Sequence, residues 1–146
     1  MTTIRVSKAE DVPVLLDLWR RSVLATHHYL AADDFATIEK IVRERYLPNT
    51  PLLLAVDAAD TPVAFLGILG GHIVSLFVDP DQRGQGIGKM LVLRLAGVVE
   101  RVTVDVNEQN EQAVGFYLKL GFRQTGRSET DHMGWPYPLL HMERLS

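Results

Sequence analysis

The amino-acid sequence predicts an α/β (α+β) fold, and three observations carry that expectation. Apolar residues recur at helical spacing in four separate stretches. Three strand-like runs follow one another between Leu52 and Val78, the last two joined by Gly70-Gly71, which suits a tight hairpin turn. Two more short strand-like runs follow the last helical stretch.

The elements take this order. "TIRV" (3–6) reads as a short strand. Val12, Leu15, Leu16, Trp19 and Val23 make the first helix, with Glu10 and Asp11 near its start and Pro13 tolerable in its first turn. A second helix is expected from about 33 to 46, placing Ile38, Ile41 and Val42 on one face before "LPNTP" ends it. "LLLAVD" (52–57), "PVAFLGIL" (62–69) and "HIVSLFV" (72–78) are strands, and the last leads into a glycine-rich loop. Ile87, Met90, Leu91, Leu95 and Val98 mark an amphipathic helix, and "RVTVDV" (101–106) alternates as a strand. "NEQNEQAVGFYLKLGF" (107–122) reads as a helix closed by Gly121, and "FRQTGRS" (122–128) and "PLLHMERL" (138–145) as strands.

Composition narrows the function classes. At 146 residues and 47% hydrophobic content, 1–146 is expected to form a single domain with a real core. A net charge of -3 with no Lys/Arg block argues against a nucleic-acid partner. The chain has no cysteine, which excludes disulfides, thiolate zinc sites and a cysteine nucleophile, and no metal site is expected. "MTTIRVSKAED" has neither a basic n-region nor an apolar h-region, so a cytoplasmic location is the expectation. The uncharged stretch 61–78 is interrupted by Gly70, Gly71 and His72, so it reads as two buried strands and not as a membrane span.

Chemistry concentrates in the loop "DPDQRGQGIGKMLV" (79–92). Alternate glycines opening into a helix let an anion approach the helix's unbonded amides and partial positive charge. A Walker A motif is absent, since Gly88-Lys89 is followed by Met90 and the position five before Gly88 is Arg83. A dinucleotide fingerprint also fails, because Lys89 or Leu91 stands where its third glycine belongs. What fits is R-x-x-G-x-G, formed by Arg83, Gly84, Gln85, Gly86, Ile87 and Gly88 between a strand and a helix.

That loop resembles the pyrophosphate loop of the GNAT acetyltransferase superfamily. The superfamily's second signature, N-x-x-A-x-x-F-Y-x-x-x-G-F, is matched by Asn110, Ala113, Phe116, Tyr117, Gly121 and Phe122. "ATHHYL", "LFVDPDQRGQGIGK", "DVNEQNEQAVGFY" and "GWPYPLLHM" are similar to the small bacterial YjaB type within it. The resemblance implies the GNAT acyltransferase fold, a mixed, mostly antiparallel central sheet flanked by about four helices. It implies an N-acetyltransferase that takes acetyl-CoA and an amine acceptor, either protein lysine or a small molecule. The rival expectation is a non-catalytic acyl-CoA-binding sensor or partner-binding module; whether the chain is a monomer or homodimer stays open.

Site residues follow from that resemblance. The backbone of Leu76, Phe77 and Val78 is expected to bond the pantetheine arm like an added strand. The amides of Gly84, Gln85, Gly86, Ile87, Gly88 and Lys89 are expected to face the pyrophosphate, with Arg83 and Lys89 adding charge. Asn110, Phe116 and Tyr117 complete the cofactor-binding set, and Tyr117 is the expected proton donor to the departing thiolate. An amine must lose its proton before it attacks, and histidine suits that task. His72, on the strand that reaches the cofactor, is the expected base, while His27, His28, Asp131 and Tyr137, with His132 beside them, are expected near the acceptor. The missing cysteine favours direct attack in a ternary complex, with Ser75 left open as a nucleophile.

Overall fold

A computed structural model describes residues 2–145. Its strands are β1 (Thr3–Val6), β2 (Leu53–Val56), β3 (Pro62–Leu69), β4 (His72–Val78), β5 (Arg101–Asn107), β6 (Arg123–Ser128) and β7 (Leu139–Leu145). Its helices are α1 (Val12–Thr26), α2 (Ala32–Ile41), the single turn α3 (Leu47–Asn49), α4 (Ile87–Ala96) and α5 (Glu111–Lys119). The strands form one mixed sheet in the order β1-β2-β3-β4-β5-β7-β6. β4 runs parallel to β5, whereas β1–β2, β2–β3, β5–β7 and β6–β7 are antiparallel, as expected of a mostly antiparallel sheet. The chain divides into two compact units, one of residues up to Gly67 with Ser75–Val92, the other of Ile68–Val74 with residues from Leu93 onward.

In the first unit, Leu15, Leu18, Trp19 and Val23 recur every three or four residues and form the buried stripe of α1. They pack with Leu54 and Val56 of β2, Phe65 of β3, and Val42, Leu47 and Leu52. Trp19 stacks on Phe35 with ring centroids 5.6 Å apart. Each fully buried Leu or Phe contributes roughly 2 kcal/mol to this core. Helical structure does not end before "LPNTP": a π-helical segment, Val42–Tyr46, continues α2 into α3, which contains Pro48. Proline lacks the N–H that a regular turn would use, and the wider turn before it accommodates that loss. Of the three residues expected on one face, Val42 is buried and Ile38 packs on the core, but Ile41 is exposed.

In the second unit, the alternation of "RVTVDV" buries Val102, Val104 and Val106 and leaves Thr103 and Asp105 partly open on the opposite face. β5 pairs with β7 along its whole length, Asp105 opposite His141 and Thr103 opposite Glu143. Glu143 receives Arg101 from β5 at 2.6 Å and Arg123 from β6 at 2.8 Å, a link across three strands. α4 ends at Ala96, so Val98 lies beyond it and is exposed, contrary to the expected helical face. α5 is shorter than expected, because residues 107–110 form a turn with Asn110 N–H bonded to the Asn107 carbonyl.

Candidate active site

The glycine loop is built on an anchored lead-in. Asp79, just after β4, accepts a bidentate pair of bonds from Arg21 of α1 at 2.8 and 3.0 Å, and Arg21 also bonds Asp17. The guanidinium holds the Asp79 carboxyl below the usual carboxylate range. The Asp79 amide bonds the Val63 carbonyl of β3, and its carboxylate accepts the Asp81 amide at 2.9 Å. Asp79 therefore fixes the start of the lead-in through both its backbone and its side chain.

Gly84 and Gly86 adopt φ of +80° and +75°, a left-handed backbone that other residues enter only at a cost. A Cβ at either position would meet nothing within 4 Å, so backbone conformation and not crowding is what requires glycine there. The Gly86 carbonyl accepts the first helical bond from the Met90 amide, making Gly86 the residue at which α4 starts. The amides of Ile87, Gly88 and Lys89 then fall in the first turn, where no intrahelical acceptor exists. Gly84, Gln85, Gly86 and Lys89 are exposed, and Ile87 and Gly88 are buried. Exposed backbone from Gly84 to Gly86, followed by first-turn amides at the positive end of a helix dipole, fits a pyrophosphate.

On the strand before the loop, Leu76, Phe77 and Val78 are half-buried. Phe77 lies 5.4 Å from Phe65 and 6.4 Å from His27, ring centroid to centroid. His27 ends α1 beside Phe77, and burial, reinforced by the positive charges of Arg83 and His28, lowers its pKa to about 4. The Thr26 hydroxyl gives its single proton to the Ser22 carbonyl at 2.8 Å, so it accepts from His27 Nδ1 at 2.7 Å and leaves Nε2 as an acceptor. A base of that strength is too weak to strip an ammonium ion efficiently, whereas a neutral ring suits packing and hydrogen-bond acceptance. His28 is exposed. Ser75 shares a 2.5 Å bond with the Tyr46 hydroxyl, a phenol and not a base, which gives it no activation as a nucleophile.

The second unit holds the remaining candidates. Asn110 caps α5, its Oδ1 accepting the Ala113 amide at 3.2 Å. Tyr117 is buried against Phe116 and Phe122, with centroids 5.0 and 5.1 Å away. Burial pushes its phenol well above the ordinary tyrosine range, so the group is held as a proton donor at every physiological pH. His72 bonds the Thr103 hydroxyl through Nδ1 at 2.8 Å and turns Nε2 toward Asp105 at 3.7 Å.

The late loop is organised by Asp131, whose Oδ1 accepts the Met133 and Trp135 amides at 2.9 Å each, while Tyr137 is buried against Trp135. Their side chains thus build the loop, and the loop delivers His132 to Asp105 at 3.0 Å.

Asp105 is the residue that sequence reasoning missed. Three imidazoles converge on it, with His141 Nδ1 the closest at 2.6 Å. No group among the described residues is arranged to hold a metal ion. The signal for Asp105 was its place on the polar side of an alternating strand, but its partners come from β4, the late loop and β7.

Comparison with known proteins gives this geometry a family. Residues 23–143 match the model of the acetyltransferase (GNAT) domain. The chain is 51% identical to the peptidyl-lysine N-acetyltransferase YjaB of Salmonella typhimurium (strain LT2) over 142 residues, 97% of each chain. A solution structure of apo-form YjaB from Escherichia coli superposes with a TM-score of 0.93 at 48% identity, covering 98% of this chain and 97% of that one. A crystal structure of PaiA N-acetyltransferase from Thermoplasma acidophilum in complex with coenzyme A shares the fold, with a TM-score of 0.78 at 24% identity over 100% and 99% of the two chains. The chain belongs to the GNAT acetyltransferase family and is an N-acetyltransferase. No helix among the described residues is long and apolar enough to cross a membrane.

Proposed function

We propose that the protein moves the acetyl group of acetyl-CoA to the side-chain amine of lysine in a protein, by direct attack, with residues 1–146 working as one acetyltransferase domain. One observation carries the choice of acceptor: 51% identity, over 97% of both chains, to a protein named a peptidyl-lysine N-acetyltransferase. The donor assignment is supported by the left-handed glycines and by the helix start at Gly86, which places the amides of Ile87, Gly88 and Lys89 in the first turn.

Acetyl-CoA supplies the acetyl group already activated as a thioester. The loop amides from Gly84 to Lys89, with the charges of Arg83 and Lys89, bind its pyrophosphate, and the backbone of Leu76, Phe77 and Val78 aligns the pantetheine arm. Arg21 and Asp79 keep that loop in place. His72, whose Nε2 lies 3.7 Å from Asp105, takes the proton from the lysine ammonium, directly or through one water. Tyr117 donates to the departing sulfur. The ordinary gap between a phenol near 10 and a thiol near 8.5 makes complete transfer uphill by roughly 2 kcal/mol. Burial widens that gap, so Tyr117 acts by a hydrogen bond to the developing charge more than by surrendering its proton. His27 and His28 are the acceptor-side candidates of the first unit, and the Asp131–Tyr137 loop is that of the second.

A panel of lysine peptides, free amino acids and small amines, each incubated with acetyl-CoA while free thiol is followed, tests the reading. Thiol release with peptides well above that with free amino acids is expected. Acetyl-CoA binding without release on any member of the panel would overturn it in favour of an acyl-CoA sensor.

A further inference from the structure

His141 lies between an acid and an alcohol. Its Nδ1 is 2.6 Å from Asp105 Oδ1, and its Nε2 is 2.7 Å from the Ser128 hydroxyl. A carboxylate accepts and does not donate, so the proton sits on Nδ1 and Nε2 accepts from Ser128. This is the arrangement in which an imidazole, oriented from behind by a carboxylate, activates a serine.

Local structure builds the row. Asp105 and His141 are direct partners across β5 and β7, while Gly126 of β6 faces His141 from the other side. The register of β6 shifts between Gln124 and Gly126, a bulge that sets Gly126 and Ser128 on the side of the ring. A Cβ on residue 126 would stand 3.3 Å from His141 Cδ2, so glycine there leaves the ring space to lie toward Ser128. The second oxygen of Asp105 is engaged by His132 at 3.0 Å, which keeps Oδ1 turned to His141. All three residues are partly open, with side-chain exposures of 17% for Asp105 and 33% for His141. A small molecule can therefore reach the hydroxyl.

We propose that Ser128 is an activated nucleophile that accepts an acyl group from small activated esters, with His141 as its base and Asp105 as the positioning residue. In the acylation step a bond forms between Ser128 Oγ and the acyl carbon while the hydroxyl proton passes to His141 Nε2. The ester C–O bond breaks and its electron pair leaves with the alcohol or phenol, which takes a proton from the imidazolium or from water. A water then attacks the acyl-serine by the same route, releasing the carboxylic acid and restoring Ser128. The activity needs no coenzyme, so it stands or falls independently of amine acetylation.

The test uses the full chain without coenzyme and p-nitrophenyl acetate as probe, following nitrophenolate release and mapping the acetyl group by peptide mass spectrometry. Release with acetyl on Ser128 is expected, reduced roughly 100-fold or more in Ser128→Ala and in His141→Ala. Asp105→Asn is expected to slow release and to remove the low-field NMR resonance of the His141 Nδ1 proton, a signature that loss of packing alone would not target. Circular dichroism of each variant checks that the fold persists. Equal release by wild type and Ser128→Ala, or acetyl mapped to other residues and not to Ser128, overturns the proposal.

Discussion

Replacing His27 with Gln removes a titration that the fold resists, and its effect on stability can be worked out from the environment of the ring. His27 packs beside Tyr29 and Phe77, bonds Thr26, and is kept neutral by burial and by the charge of Arg83, so its pKa falls from 6.5 to about 4. Between those two values the unfolded chain takes up a proton that the folded chain refuses. A histidine with a lowered folded pKa therefore contributes stability that is complete above 6.5 and is lost as the pH falls toward about 4. At 1.36 kcal/mol per pH unit the whole interval amounts to about 3 kcal/mol at most. Glutamine keeps an amide that can bond Thr26 and carries no charge at any pH. Urea unfolding of both proteins from about pH 7 to about 4 should show the wild type losing up to about 3 kcal/mol more than His27→Gln, the other titrations cancelling in the difference. Parallel pH profiles would refute the reasoning and place the ring in solvent.

Three further perturbations address the active site. Gly86→Asp forces an L residue into φ +75° and sets a carboxylate beside the loop amides, so acetyl-CoA affinity measured by calorimetry should fall at least about tenfold, and a value within a few-fold of wild type would remove the pyrophosphate assignment. Tyr117→Phe keeps the packing against Phe116 and Phe122 but loses the donor, so kcat should drop by roughly 10² to 10⁴ with coenzyme affinity little changed; an unchanged kcat makes Tyr117 structural. His72→Ala should lower kcat/KM and be partly restored by added imidazole, whereas His27→Ala should show no such rescue; rescue of neither variant would assign the base elsewhere.

Local rules carried far along this chain. β3 and β4 take the bounds read from continuous apolar runs because Pro62 and the Gly70-Gly71 turn punctuate them. Asn110 has the side chain of a cap, yet the helix read from the sequence starts at residue 107, ahead of the cap that the structure shows. The failures are equally physical. Pro48 signals a helix end, yet the π-helical turn ahead of it lets helical structure continue to Asn49. Val98 continues an apolar period after the helix has stopped at Ala96. Asp105 and His141 lie far apart in sequence and meet only because β5 pairs with β7 in one register. A slip of a single residue would turn His141 to the opposite face, and that pairing is decided by packing of the whole sheet. His72 could thus be singled out from its strand while the carboxylate beside it could not.

The most direct measurement of the central claim is the mass of a lysine-containing peptide after incubation with the full chain and acetyl-CoA. The expected product carries one acetyl group on the lysine side chain, formed with an equal amount of free thiol, and the same peptide with that side-chain amine already blocked gives neither. Thiol released without acetyl-lysine, or an acetyl group found at another position of the peptide, would contradict acetyl transfer to lysine.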